Sequence, residues 1–287
     1  MLLPLLGSVV FVAGLIGMQR AQLHVSMTTT IFLNNICTAF AFSFFWLLGG
    51  TIPNVDLWYQ PVLLAILFIA GLILTFAAVR LGDVSVATPV LGLKVIIVAA
   101  LMTIWLGQIP SGWIWLAATL AAIGIGLIQW TDRGHPKRLW GTIVMAISAA
   151  TCYAHFDIAV QQWAPNWGTG RLMPLIAWCI GLFSLPLARW VQWSAIGQPS
   201  VRGWLLVGCV ATTAQACLII STLATFGDAA RVNVVFSLRG LWGLMMAVFV
   251  ARIWGGHEAE LTARTLWMRC GGAVLLTSAV IIAVALG

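Results

Sequence analysis

Ten apolar runs, each about as long as a helix needs to cross a bilayer, fill almost the whole chain and leave only short segments of Gly, Pro and charge between them. They fall at about 2–19, 28–49, 58–79, 84–107 and 112–130, and again at about 139–161, 172–193, 202–225, 229–253 and 265–286. No ordinary soluble domain has this pattern. Of the 287 residues 62% are hydrophobic and 7% charged, against about 25% charged in a typical soluble domain. The chain therefore reads as an all-α integral membrane protein of ten transmembrane helices, with no room for a soluble catalytic domain. Its net charge of +7 calls for no nucleic acid partner, because membrane proteins collect Lys and Arg on their cytoplasmic loops.

The opening stretch MLLPLLGSVVFVAGLIGM lacks a basic n-region and a small-residue cleavage site, so it reads as a retained first span. The six cysteines form no CxxC pair and lie in apolar stretches, where they read as small buried hydrophobes. Many of the 16 tryptophans, among them Trp46, Trp58, Trp113, Trp140, Trp163, Trp190 and Trp193, stand at span ends. There their amphipathic rings anchor the chain at headgroup level.

The two sets of five runs are related. GDVSVATPVLGLK at 82–94 aligns without a gap on GDAARVNVVFSLR at 227–239, at a constant offset of 145. Each block opens with Gly-Asp, whose aspartate, Asp83 or Asp228, is placed to cap the incoming helix, and each ends on a cation. Five crossings is an odd number, so the second copy must enter the membrane the other way up. The sequence thus predicts two inverted five-helix repeats, 1–130 and 139–287, joined by a basic linker at 131–138. Such repeats mark transporters, with the substrate site near the midplane between them.

Orientation follows from the cations outside the spans. With the N-terminus outside, the inner loops and helix ends hold ten of them and the outer loops only two, Arg171 and Arg231. This bias predicts that both termini lie outside the cytoplasm, as in a multi-pass protein of a bacterial inner membrane.

Two cations remain inside spans, Lys94 and Arg239. A mid-span cation costs about 2.5–3.5 kcal/mol even on a lenient insertion scale, so each needs compensation. The repeat predicts that they face each other across one cavity. Of the seven carboxylates only Asp157 lies within a span, which leaves the centre short of negative charge and makes an anionic ligand the expected compensation. Arginine grips carboxylate or phosphate in a bidentate fork and lysine acts as a point charge. Trp242, three residues after Arg239, is placed to hold the guanidinium by a cation–π contact. Asn34, Asn35, Tyr153, His155, Gln215 and Asn233 are the remaining candidate liners, each equally able to make a helix-to-helix hydrogen bond. Pro89, five residues before Lys94, is expected to loosen the fourth helix. His155 and Asp157 are two residues apart and do not share a helix face, which argues against an acid/base dyad or metal site. No nucleotide-binding or hydrolase motif is present, so neither an enzyme nor an ATP-driven pump is indicated.

These residues resemble the drug/metabolite transporter superfamily in its ten-helix EamA-like branch. The resemblance covers the whole chain. It is carried by the five-plus-five layout, by AVRLGDVSVATPVLGLKVIIVAAL and its counterpart ATFGDAARVNVVFSLRGLWGLMMAV, and by the small-residue helices LAATLAAIGIGLI and CGGAVLLTSAVIIA that close each half. Two features depart from the family pattern. Members carry Gly-Glu after the fourth and ninth spans, where this chain has Leu-Gly-Gln at 106–108 and Gly-Gly-His-Glu at 255–258. Ten-helix members also place their termini in the cytoplasm, opposite to the cation count.

Sequence and resemblance together imply a secondary transporter of a small anionic organic solute, a phosphate- or carboxylate-bearing metabolite, working by alternating access as a monomer or homodimer without a cofactor. Two alternatives stay open. One is a flippase that takes the anionic headgroup of a lipid into the same basic cavity, and the other a non-transporting membrane subunit whose cations meet a partner's carboxylate.

Overall fold

The structure, a computed structural model, describes residues 2–53, 55–81, 90–128, 139–243, 245–246 and 263–286. Every regular element among them is helical. Ten helices of eight residues or more are described: α1 (Leu2–Gln22), α2 (Met27–Ser43), α3 (Tyr59–Leu81), α4 (Lys94–Leu106), α5 (Gly112–Ile128), α6 (Leu139–Trp167), α7 (Thr169–Ser184), α8 (Pro199–Phe226), α9 (Ala229–Phe236) and α10 (Ala263–Ala285). The helices α2 and α7 each tighten into a 3₁₀ extension, Phe44–Leu48 and Leu185–Trp190.

Among the described residues, seven helical segments, drawn from α1, α2, α3, α6, α7, α8 and α10, are long and apolar enough to cross a membrane. The apolar helices Val90–Leu106 and Gly112–Ile128 are shorter, and α9 is described only over a short length. Residues that flank these three, at 82–89, 129–138 and 247–262, lie outside the described residues, as do Asp83, Pro89 and the basic linker. Apart from these, the helices follow the runs expected from the sequence.

The chain packs as two compact units that do not coincide with its sequence halves. One is built from 67–158 and 228–287, the other from 2–66 and 159–227, so each draws on both halves. In the second unit α1 lies against α8. A Cβ on Gly17 would stand 2.6 Å from the Gly208 amide nitrogen, an approach that only glycine permits. Within the same unit α2 and α7 are bridged reciprocally: Asn35 Nδ2 donates to Ser184 Oγ at 2.8 Å, and Trp178 Nε1 donates to Ser43 Oγ at 2.8 Å. These serines are the last residues of α7 and α2, at the point where each turns into its 3₁₀ extension. Trp167, fully buried, donates Nε1 to Gln60 Oε1 at 2.7 Å, which satisfies both polar groups away from water.

In the first unit α5 packs on α10 through Gly124 and Gly272. A Cβ on Gly272 would lie 2.6 Å from the Gly124 carbonyl oxygen, and one on Gly124 would lie 2.9 Å from that of Gly272. The helix α4 packs against both α5 and α9. Outside the units' cores, Trp58, Trp113, Trp140, Trp190 and Trp193 are exposed, as expected of span-end anchors, whereas Trp46 and Trp163 are half-buried.

Candidate binding site

The fourth and ninth apolar runs are broken helices, and each break immediately precedes one of the two central cations. Helix at Val90–Gly92 gives way to a turn at Leu93 before α4 starts on Lys94. Helix α9 gives way to a turn at Ser237 and Leu238, and helix resumes at Arg239. Both breaks use tightened hydrogen bonds that reach back three residues, Ile96 N to Leu93 O at 3.0 Å and Gly240 N to Ser237 O at 3.0 Å. Leu93 and Leu238 are equivalent positions at the offset of 145. Glycines stand beside both, Gly92 before Lys94 and Gly240 after Arg239, and each lowers helix propensity by about 1 kcal/mol relative to alanine. Asp228 caps α9 as expected, accepting from the Arg231 amide at 3.0 Å.

Lys94 does not await an external partner. Its Nζ lies 2.7 Å from Oδ2 of Asp157 on α6, with the two side chains 19% and 6% exposed. The same carboxylate oxygen accepts from Asn233 Nδ2 at 2.6 Å, and that amide also donates to the Ala229 carbonyl at 2.9 Å. Asn233 thereby ties α9 to the ion pair, which desolvation would otherwise make expensive. One turn before Asp157 on the same face, Tyr153 presents its ring 5.8 Å from Lys94 Nζ. The ring fits because α3 carries a glycine opposite it: a Cβ on Gly71 would fall 2.8 Å from a ring carbon. Phe68 meets Tyr153 edge-on at 6.1 Å, and the hydroxyl is hydrogen bonded to Thr75.

Arg239 stacks its guanidinium 4.5 Å from the centroid of the Phe236 ring and lies within electrostatic range of Tyr153 and Asp157. Lys94 and Arg239 line one small cavity with Asn233, Phe236, Ser237 and Ile125. Its volume of about 10 Å³ is about that of a single water probe. That volume is too small for an organic metabolite.

The other residues expected from the sequence are distributed differently. His155 faces away from the ion pair, with Nδ1 2.8 Å from the Thr151 carbonyl and its ring 5.6 Å from that of Trp105. Asn34 accepts from Thr212 Oγ1 at 2.5 Å and Asn35 is committed to Ser184, so both are used in holding helices of the second unit together. Gln215, half-buried in α8, belongs to that unit too. Trp242 is half-buried one turn after Arg239. Sequence reasoning missed Phe236, Ser237 and Thr75, and gave Asp157 too small a role. The signal for Asp157 was present, since a sole carboxylate among spans that carry two cations has few other places to go.

A crystal structure of another protein superposes on the chain with a TM-score of 0.66, covering 98% of this chain and 99% of its own. At 13% sequence identity that likeness is one of fold. No curated protein matches the sequence. Residues 1–130 match the EamA-like transporter family, whose members are transporters rather than enzymes. With its apolar helices this supports a multi-pass membrane protein, and residues 1–130, a little under half of the chain, are similar to the EamA-like transporter family, which belongs to the drug/metabolite transporter superfamily.

Proposed function

We propose that the protein is a secondary transporter of a small anionic organic solute, with Arg239 and Lys94 as the groups that receive the anion and alternating access as the mode of transport. The observation that carries this reading is the pair of equivalent helix breaks, each delivering a cation to one cavity. Broken helices at the centre of a membrane protein free backbone groups and side chains for a ligand, and they supply hinges for opening the site. Arg239 is the primary contact, because its planar fork suits an oxyanion and Phe236 holds the guanidinium plane in place. Lys94 follows once its bond to Asp157 is exchanged. Asn233, Tyr153 and Trp242 complete the surroundings, while Asn34, Asn35, Gln215 and His155 act more remotely.

Ten spans in two inverted five-helix repeats suit this mechanism. Supporting it are the equivalent breaks at Leu93 and Leu238, the reciprocal serine bridges of α2 and α7, and the packing of α4 on α9 and α5 on α10, each helix against the one at the same place in the other half.

A thermal-shift screen of purified protein tests the reading, since a ligand that binds only the folded form stabilises it by RT ln(1 + [L]/Kd). Carboxylated and phosphorylated metabolites are each paired with an uncharged amide or alcohol analogue. At least one anion should raise Tm where its uncharged partner does not, and Arg239→Gln should abolish the response. Stabilisation by cations alone, or an undiminished response in Arg239→Gln, would contradict it. Stabilisation by anionic phospholipids but by no soluble anion would favour a flippase.

A further inference from the structure

We infer that Cys37 and Cys209 are an oxidisable pair, which a peroxide converts into a disulfide that ties α2 to α8. The transport reading calls on neither cysteine, so the inference stands apart from it. Three observations carry it. The first is the crossing of the two helices. Asn34, Cys37 and Thr38 stand at i, i+3 and i+4 on α2, and Cys209, Thr212 and Thr213 have the same spacing on α8, so each triplet shares a helix face. Two hydrogen bonds hold these faces together: Thr212 Oγ1 donates to Asn34 Oδ1 at 2.5 Å, and the Thr38 and Thr213 hydroxyl oxygens are 3.0 Å apart. The second is that the remaining members of the triplets also meet, the Cys37 and Cys209 side chains being hydrogen bonded to each other. The third is unequal access, since Cys37 is exposed and Cys209 is buried.

An exposed thiol backed by a second one is the arrangement that peroxide oxidises to a disulfide. Peroxide meets the Cys37 sulfur first. That sulfur takes one peroxide oxygen and becomes a sulfenic acid, and the other oxygen leaves as water with the protons of the spent O–O bond. The Cys209 sulfur then attacks the sulfenic sulfur and its S–O bond breaks. The departing hydroxide takes the Cys209 proton and leaves as a second water. The two sulfurs supply the two electrons that reduce the peroxide. Cys217 is a poor competitor, because it lies eight residues further along α8, about 12 Å by the rise of a helix. Gly208, next to Cys209, is where α8 approaches α1 too closely for a Cβ, so the new bond fastens α2 to two helices already in tight contact.

Cys37 is the only cysteine in residues 1–138, which makes the test direct. With a protease site placed in the 131–138 linker, the cut chain falls into two pieces in SDS unless a disulfide joins them. Protein in proteoliposomes is treated with hydrogen peroxide, its remaining thiols are blocked with a maleimide, and the cut chain is run without reductant. The parent should stay joined after peroxide and separate on addition of dithiothreitol. Cys37→Ser and Cys209→Ser should each lose the join, whereas Cys179→Ser and Cys217→Ser should keep it. Separate pieces from peroxide-treated parent would overturn the inference. So would a join that survives Cys209→Ser, or a dimer of first pieces linked through Cys37, since either gives the exposed thiol a different partner.

Discussion

Lys94 Nζ and Asp157 Oδ2 are 2.7 Å apart, joining the first residue of α4 to the interior of α6 across 63 positions of sequence. The contact changes what substitution of the lysine should do. Considered alone, Lys94 is an expensive buried cation whose removal ought to relieve the fold. Paired, its removal strands a carboxylate that is 6% exposed. Lys94→Met should therefore destabilise the protein by about 3–5 kcal/mol, and Lys94→Met/Asp157→Asn should recover most of that loss. Denaturation of the two variants in detergent, compared with the parent, measures the difference. A single mutant as stable as the double would show that the pair contributes nothing.

Tyr153 is placed by an absence, the missing side chain of Gly71. Gly71→Ala should force the ring from its place beside Lys94 at a cost of about 1–3 kcal/mol, because a Cβ there meets rigid ring atoms rather than a flexible chain end. Combining it with Tyr153→Leu should remove most of that penalty. A thermodynamic cycle of the two substitutions reads the coupling directly, and additive effects would mean that the close approach is unimportant.

Glycines on α5 make a sharper contrast. A Cβ at Gly124 meets the backbone of α10, while one at Gly126, two residues along the same helix, meets nothing within 4 Å. Gly124→Ala should lower the melting temperature. Gly126→Ala should leave it unchanged or raise it slightly, because alanine is the better helix former by about 1 kcal/mol. The same sign for both would contradict the packing of α5 on α10.

Much of this architecture was legible in sequence because hydropathy and the 145-residue offset are local, countable signals. The apolar runs marked the helices, and the aligned blocks drew attention to Lys94 and Arg239, which line one small cavity. Hydropathy could not reveal the breaks at Leu93 and at Ser237 and Leu238, since one cation in a run of spanning length leaves its average apolar. Nor could it choose the ring for Arg239. Phe236 lies three residues before and Trp242 three after, so helical spacing favours neither, and the structure puts the guanidinium 4.5 Å from the Phe236 ring centroid. Asn34 and Asn35 looked like liners because polar residues in a span are rare. Their partners, Thr212 and Ser184, are more than a hundred residues away and become visible only once helices pack.

Orientation in the membrane is a separate prediction, founded on ten cations against two. A single cysteine at 131–138, in a background without native cysteines, should be shielded from an impermeant thiol reagent in intact cells. A cysteine in place of Gly287 should react. The reverse pattern would place both termini in the cytoplasm.

Transport of the anion identified by thermal shift, measured in proteoliposomes containing parent, Arg239→Lys or Arg239→Gln protein of equal melting temperature, bears most directly on the role of the two cations. Loss of a desolvated charge contact should weaken the interaction by about 2–5 kcal/mol, so Arg239→Gln should need roughly thirtyfold more solute or worse. Arg239→Lys should fall between parent and Gln, because a point charge replaces a bidentate fork. Undiminished transport by well-folded Arg239→Gln protein would show that the anion is held elsewhere and that the cations serve only the fold.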